Sequence, residues 1–74
     1  MKHIPSPMQK EHTWLSRRER EVAYTLAEGL SYQDTAEALH VSLNTVRFHV
    51  KNIYRKLDVH SKAQVIRMVL KGEL

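Results

Sequence analysis

Apolar residues recur at the spacing of one helix face in four stretches of the chain, and a serine stands in front of each. In the first stretch Val22, Ala23, Leu26 and Ala27 follow Ser16, which forms an S-x-x-E capping box with Glu19. There the serine oxygen and the glutamate each satisfy an amide that the opening turn leaves without a partner. Gly29 supplies a left-handed stop, so a helix is predicted over about residues 17–28. Ser31, with Asp34 three residues on as a second box, opens a helix of two turns over 32–39, its buried side marked by Ala36 and Leu39. His40 and Val41 make a short connection without Pro or Gly. Ser42 then caps the longest helix, 43–57. Asp58, Val59 and His60 form a turn, Ser61 is the last cap, and a helix over 62–71 ends before Gly72. Residues 1–13 carry Pro5, Pro7, scattered charges and no periodicity, and read as a flexible tail or linker. Order is expected from Trp14 and Leu15 onward. The fold class is therefore all-α, a four-helix bundle over residues 14–74.

The third helix carries two stripes of opposite character. At 100° per residue, Val46, Val50, Ile53 and Leu57 form one narrow apolar line that faces a core. Diametrically opposite lie Asn44, Phe48, Lys51 and Arg55. Arg47 and Tyr54 flank one side, His49 and Lys56 the other, and no acid interrupts residues 38–57. Amide, aromatic and basic groups in register suit the major groove of DNA. Arg or Lys can reach guanine O6/N7 there, Asn can pair with adenine, and an apolar ring can touch the thymine methyl. The short helix before it, with small Ala36 at the approach and Leu39 and Val41 in the angle, completes a helix-turn-helix pattern. An exposed-looking Phe is ordinarily a peripheral core residue. Here the opposite stripe already fills the core side, so Phe48 is expected to face solvent. Lys51 and Arg55 alone would read as a solvated face, and their place on the second helix of the motif gives them a partner.

Charge points the same way once it is resolved along the chain. The net charge is +4 over 74 residues. Residues 1–37 hold five basic and six acidic side chains, whereas 38–72 hold seven basic side chains and one acid, Asp58. Such an asymmetry presents a basic face to a polyanion. The length fits one small domain, without room for an enzyme cleft between lobes. With no cysteine there is neither a disulfide nor a thiolate zinc site, which fits a reducing compartment. The longest apolar run falls far short of the ~20 residues of a membrane helix, and the polar, proline-bearing start does not read as a signal peptide. His3, His12, His40, His49 and His60 form no H-x-x-x-H pair, so no metal and no cofactor are expected. Glu19 and Glu21 read as a cap and a surface charge rather than a catalytic pair, and Gly29 and Gly72 as helix stops rather than a phosphate loop. No small-molecule site is expected in this chain.

A longer pattern is specific. Leu15-Ser16-x-Arg18-Glu19-x-Glu21-Val22, Gly29-Leu30-Ser31, Ala36-x-x-Leu39-x-Val41-Ser42 and Thr45-Val46-x-x-His49-x-x-Asn52-Ile53-x-x-Lys56-Leu57-x-Val59-x-Ser61 together resemble the LuxR/GerE-type DNA-binding domain of bacterial transcription regulators. The resemblance spans about residues 14–74. It implies a four-helix bundle with the second and third helices as helix-turn-helix, and dimeric binding to pseudo-palindromic promoter sites. Carried over by position, it places Arg47, Phe48 and Lys51 at base edges, to which the face adds Asn44. Ser42, Thr45 and His49 fall near phosphates, as does Arg55 on the face, and Lys62 stands where arginine is usual. Thr35 replaces an aliphatic residue, so packing there is expected to be polar or rearranged. Gln33 replaces a common lysine, Asp58 a glycine at a left-handed turn, and Val65 an alanine. Gly29-Leu30-Ser31-Tyr32 also looks like region four of sigma factors, a promoter reader that lacks the His49/Asn52 pair and the last helix.

On that last helix Ala63, Ile66 and Leu70, with Val69 beside them, are expected in the core. Val65 and Met68 are left as the candidate homodimer contact, which the resemblance assigns to this helix. The expected function is sequence-specific regulation of transcription on double-stranded DNA, with RNA polymerase as a further candidate partner. The competing expectation is a helix-turn-helix that binds a protein and reads no DNA. A tail such as 1–13 would equally suit a linker from a sensing domain.

Overall fold

A computed structural model describes residues 15–74; the tail expected over 1–13, and Trp14, lie outside the described residues. Four helices follow in order: α1 (Arg17–Ala27), α2 (Tyr32–Leu39), α3 (Leu43–Leu57) and α4 (Lys62–Leu70). The described residues contain no strand. Each helix begins where the expected serine accepts the amide three residues on: Ser16 from Glu19 at 3.0 Å, Ser31 from Asp34 at 3.0 Å, Ser42 from Thr45 at 3.0 Å and Ser61 from Gln64 at 3.3 Å. In the first two the acid reaches back, and both capping boxes close. A cap of this kind contributes about 1 kcal/mol. Before α4 the return partner is different, since Gln64 Oε1 accepts the His60 amide at 2.7 Å.

The helix ends divide into two kinds. Gly29 (φ 93°) and Gly72 (φ 75°) take the left-handed conformation just past α1 and α4, as their lack of a Cβ allows. His40 (φ 60°) and Asp58 (φ 56°) do the same after α2 and α3 without being glycine. Asp58 was the residue expected to tolerate this turn. His40 carried no such signal in the sequence.

The core is built around α1, which packs against α4, α3 and α2, while α2 lies on α3. Val22, Ala23 and Leu26 of α1 meet Ala36 of α2, Val46, Val50 and Ile53 of α3, and Val65 of α4. Leu39, Val41 and Leu57 are partly buried against this cluster, so the angle between α2 and α3 is plugged as the pattern required. Thr35 is fully buried, and its hydroxyl lies 2.9 Å from that of Thr25, which donates to the Val22 carbonyl at 2.7 Å. With the Thr25 proton engaged, Thr35 donates, and the polar packing expected at that position is a short hydrogen-bonded chain between α1 and α2.

α4 corrects the sequence reading. Val65, expected on an outward strip as a dimer contact, is fully buried in the core. Ile66 and Val69 pack beside it, Met68 is half-buried, and the supposed core residues Ala63 and Leu70 are exposed. The helix is turned about a quarter turn from the expected setting. Its six apolar positions between 63 and 70 wrap most of the circumference, so periodicity alone does not choose the side that meets α1.

Candidate nucleic-acid interface

The two stripes of α3 separate cleanly in space. Val46 and Ile53 are fully buried and Val50 nearly so, whereas Asn44, Arg47, Phe48, Lys51 and Arg55 are all exposed on the other side. Phe48 is 61% exposed. Its ring meets that of the half-buried His49 edge-on, with centroids 5.8 Å apart and planes at 61°. The His49 Nδ1 is buried and has no hydrogen-bond partner among the described residues. Ser42 stands exposed at the N-terminus of α3, its hydroxyl 2.9 Å from that of half-buried Thr45. No acid occupies the first turn, and Arg55 and Lys56 lie in the last, where they complement the helix dipole.

The flanks of the helix are tied down differently. On one side Lys56 donates to Glu19 Oε1 at 2.9 Å, so this cation joins α3 to the start of α1. Burial alone would raise the Glu19 carboxyl. The Lys56 ammonium and the Ser16 amide outweigh it and hold the group below its ordinary value. On the other side the Tyr54 hydroxyl lies 3.4 Å from that of Tyr32 at the start of α2. Burial and that bond push the Tyr54 phenol up to about 12, so it stays protonated at neutral pH. The Lys62 ammonium sits 5.4 Å from the centre of the Tyr32 ring, a cation–π contact that brings the start of α4 beside the start of α2. Neither the tyrosine pair nor the Lys56–Glu19 bridge has a local signal in the sequence, since the partners lie 22 and 37 residues apart.

Arg47, Lys51 and Arg55 have no acidic partner at ion-pair distance among the described residues, where such pairs are Arg17 and Arg18 with Glu21 and Lys56 with Glu19. The exposed side of α3 thus offers an amide, an aromatic ring and three uncommitted cations. Charge-assisted donors and an apolar ring together on one convex helix match a polyanion that carries readable edges.

A comparison with protein families matches residues 13–69 to the bacterial regulatory proteins of the luxR family. The chain belongs to the luxR family. Among its relatives are the uncharacterized transcriptional regulatory protein YhcZ of Bacillus subtilis, 35% identical over the whole of this chain, and the response regulator protein VraR. The Staphylococcus aureus and Staphylococcus epidermidis forms of VraR are each 40% identical over 52 residues, 70% of the chain. The chain spans 35% of the length of YhcZ and 25% of that of VraR. The luxR-type helix-turn-helix is a DNA-binding module of transcription regulation rather than an enzyme class, and its four helices are those found here. The likeness of Gly29–Tyr32 to sigma-factor region four therefore remains a local one. Among the described residues no three His, Cys, Asp or Glu side chains gather as metal ligands would, and no helix is long and apolar enough to cross a membrane.

Proposed function

We propose that this luxR-family domain lays α3 in the major groove of duplex DNA and reads a specific half-site. Asn44, Arg47, Phe48 and Lys51 reach base edges, and Ser42, Thr45, His49, Arg55 and Lys62 meet the phosphates on either side. The observation that carries this reading is the exposed amide, aromatic and cationic face of α3, opposite an apolar stripe in which Val46, Val50 and Ile53 are buried. Two copies bind a pseudo-palindromic promoter site, joined through α4. With Val65 in the core, the surface for that contact is the outward strip of Ala63, Arg67 and Leu70. Because relatives of this chain are longer regulators, we read it as the DNA-reading part of such a protein in a bacterial cytoplasm, acting on RNA polymerase at the promoter.

Lys51→Ala and Arg47→Ala test the reading on a site selected from random duplexes, titrated beside random DNA at several salt concentrations. Loss of a base contact is expected to reduce discrimination by about 1–3 kcal/mol. Loss of a phosphate contact weakens all sequences alike and lowers the salt slope by about one. If both variants bind as the parent does, the assignment of this face is wrong. A domain that binds only a protein partner would enrich no duplex at all.

A further inference from the structure

We infer that Tyr32 donates a hydrogen bond to a backbone phosphate of the duplex beside Lys62, and that Tyr54 positions it by donating to its hydroxyl oxygen. This rests on the proposal that α3 reads DNA, and adds a neutral contact that the cations do not supply. The two tyrosines and Lys62, all half-buried, come together from three helices. Tyr32 opens α2, Tyr54 lies in α3 and Lys62 opens α4. The hydroxyls are 3.4 Å apart, and the Lys62 ammonium stands 5.4 Å from the centre of the Tyr32 ring. Tyr54 follows Lys51 by one turn and Arg47 by two on the same edge of α3, so the cluster borders the exposed cationic side.

Two hydroxyls joined by one hydrogen bond hold two protons, and the bond uses only one of them. Burial and the bond to Tyr32 push the Tyr54 phenol up to about 12, and a hydrogen bond acts in that direction when the phenol is its donor. Tyr54 thus donates to Tyr32 Oη, and the Tyr32 proton is left for another acceptor. The Tyr32 hydroxyl makes no other hydrogen bond among the described residues. A cation over its ring and two more along the edge of α3 make an anionic oxygen the acceptor that fits. The carboxylate nearest in sequence, Asp34, falls about 200° round α2 and accepts from the Ser31 amide at 3.4 Å. With α3 in the major groove, the preceding helix crosses the backbone, so the group that reaches Tyr32 is a phosphodiester rather than a base edge. A hydroxyl whose oxygen already accepts a bond also gives its own proton more strongly.

Tyr32→Phe and Tyr54→Phe each remove one oxygen and keep the ring that packs and faces Lys62. They are titrated beside wild type and Lys62→Ala on a duplex selected by the wild-type domain and on random DNA, at several salt concentrations. Tyr32→Phe is expected to bind both DNAs about tenfold more weakly and Tyr54→Phe about threefold, each with the wild-type salt slope, because no cation is lost. Lys62→Ala instead lowers the slope by about one. The double tyrosine variant binds no more weakly than Tyr32→Phe, since Tyr54 acts through that hydroxyl. In selected duplexes with one methylphosphonate placed at each backbone position in turn, one position per half-site penalises wild type more than Tyr32→Phe. Wild-type affinity in Tyr32→Phe overturns the phosphate contact, as does the absence of any such position. A loss confined to the selected duplex would mean a base contact, and overturns it too. Wild-type affinity in Tyr54→Phe, additive losses in the double variant, or a loss matched by lower thermal melting overturns the positioning role. Failure to enrich any duplex would instead reject the DNA reading itself, and this inference with it.

Discussion

Lys51 and Lys56 lie on the same helix, yet their charges have different fates. Lys51 is exposed without an acidic partner among the described residues, whereas Lys56 is bonded at 2.9 Å to a carboxylate that is only 5% exposed. Periodicity distinguishes them only as face and flank, and the acid that claims Lys56 is 37 residues away in sequence, so the pair was not legible. Exposure of Phe48 was legible, because a complete apolar stripe on the far side leaves it nowhere to pack. The Glu19–Lys56 pair makes stability depend on pH with a definite sign. The folded carboxyl holds its proton less readily than the unfolded one, whose ordinary value is 4.5, so the unfolded chain takes up more protons in acid. Its contribution is present above that value and is lost as pH falls through the lower folded value. Lys56→Met removes the ammonium and leaves the buried carboxylate with its cap bonds alone. A fully buried partner would cost several kcal/mol; with the Lys56 side chain 28% exposed, a loss of about 1–2 kcal/mol at pH 7 is expected. Urea unfolding from pH 7 to pH 3 checks this, since the gap between variant and wild type must narrow as Glu19 is protonated. A constant gap would assign the cost to packing of the lysine stem.

Among the elements, α3 and α4 differ in how far their sequences determine their setting. α3 has one apolar and one polar stripe, and only one rotation buries the first and hydrates the second. Its bounds, its core side and its exposed side were all readable for that reason. α4 has apolar residues at Ala63, Val65, Ile66, Met68, Val69 and Leu70, so several rotations bury a similar area. The choice is made by α1, whose Val22, Ala23 and Leu26 leave a space that Val65 fills. The four serine caps mark where the helices begin, but the left-handed end of α2 at His40 carries no glycine or asparagine to signal it. The setting of α4 predicts two unequal truncations. Val65→Ala leaves a cavity beside α1 and is expected to cost about 2 kcal/mol, about 1 kcal/mol for each of the two carbons lost. Leu70→Ala, on a side chain 73% exposed, is expected to stay within about 0.5 kcal/mol. Chemical denaturation of the two variants decides it, and equal losses would return Leu70 to the core.

At the scale of the whole molecule, the +4 charge and the small size acquire a joint meaning. The excess of base lies beyond residue 38, and with Lys56 committed to Glu19 the cations left uncommitted on α3 are Arg47, Lys51 and Arg55. On the proposed reading, one copy therefore neutralises few phosphates. Between two contacts, Arg55 and Lys62, and four, with Arg47 and Lys51 added, the log–log salt slope on a single half-site should lie between about −2 and −4. So shallow a slope means modest affinity, and a second copy on an inverted half-site would double the slope without any new kind of contact. α4 rests mainly on α1 and turns Ala63, Arg67 and Leu70 outward, away from the core, which leaves that strip free to join two copies. Leu70→Glu is expected to leave folding and half-site binding unchanged, with the same slope, and to remove the cooperativity seen on an inverted pair. Titration of single and paired half-sites over a range of salt, with sedimentation of the complexes, measures both quantities. If Leu70→Glu binds the paired site as cooperatively as wild type, α4 does not join the copies by this strip. If half-site affinity falls as well, the added charge acts on DNA binding itself, and the separation of reading from pairing assigned to α3 and α4 fails.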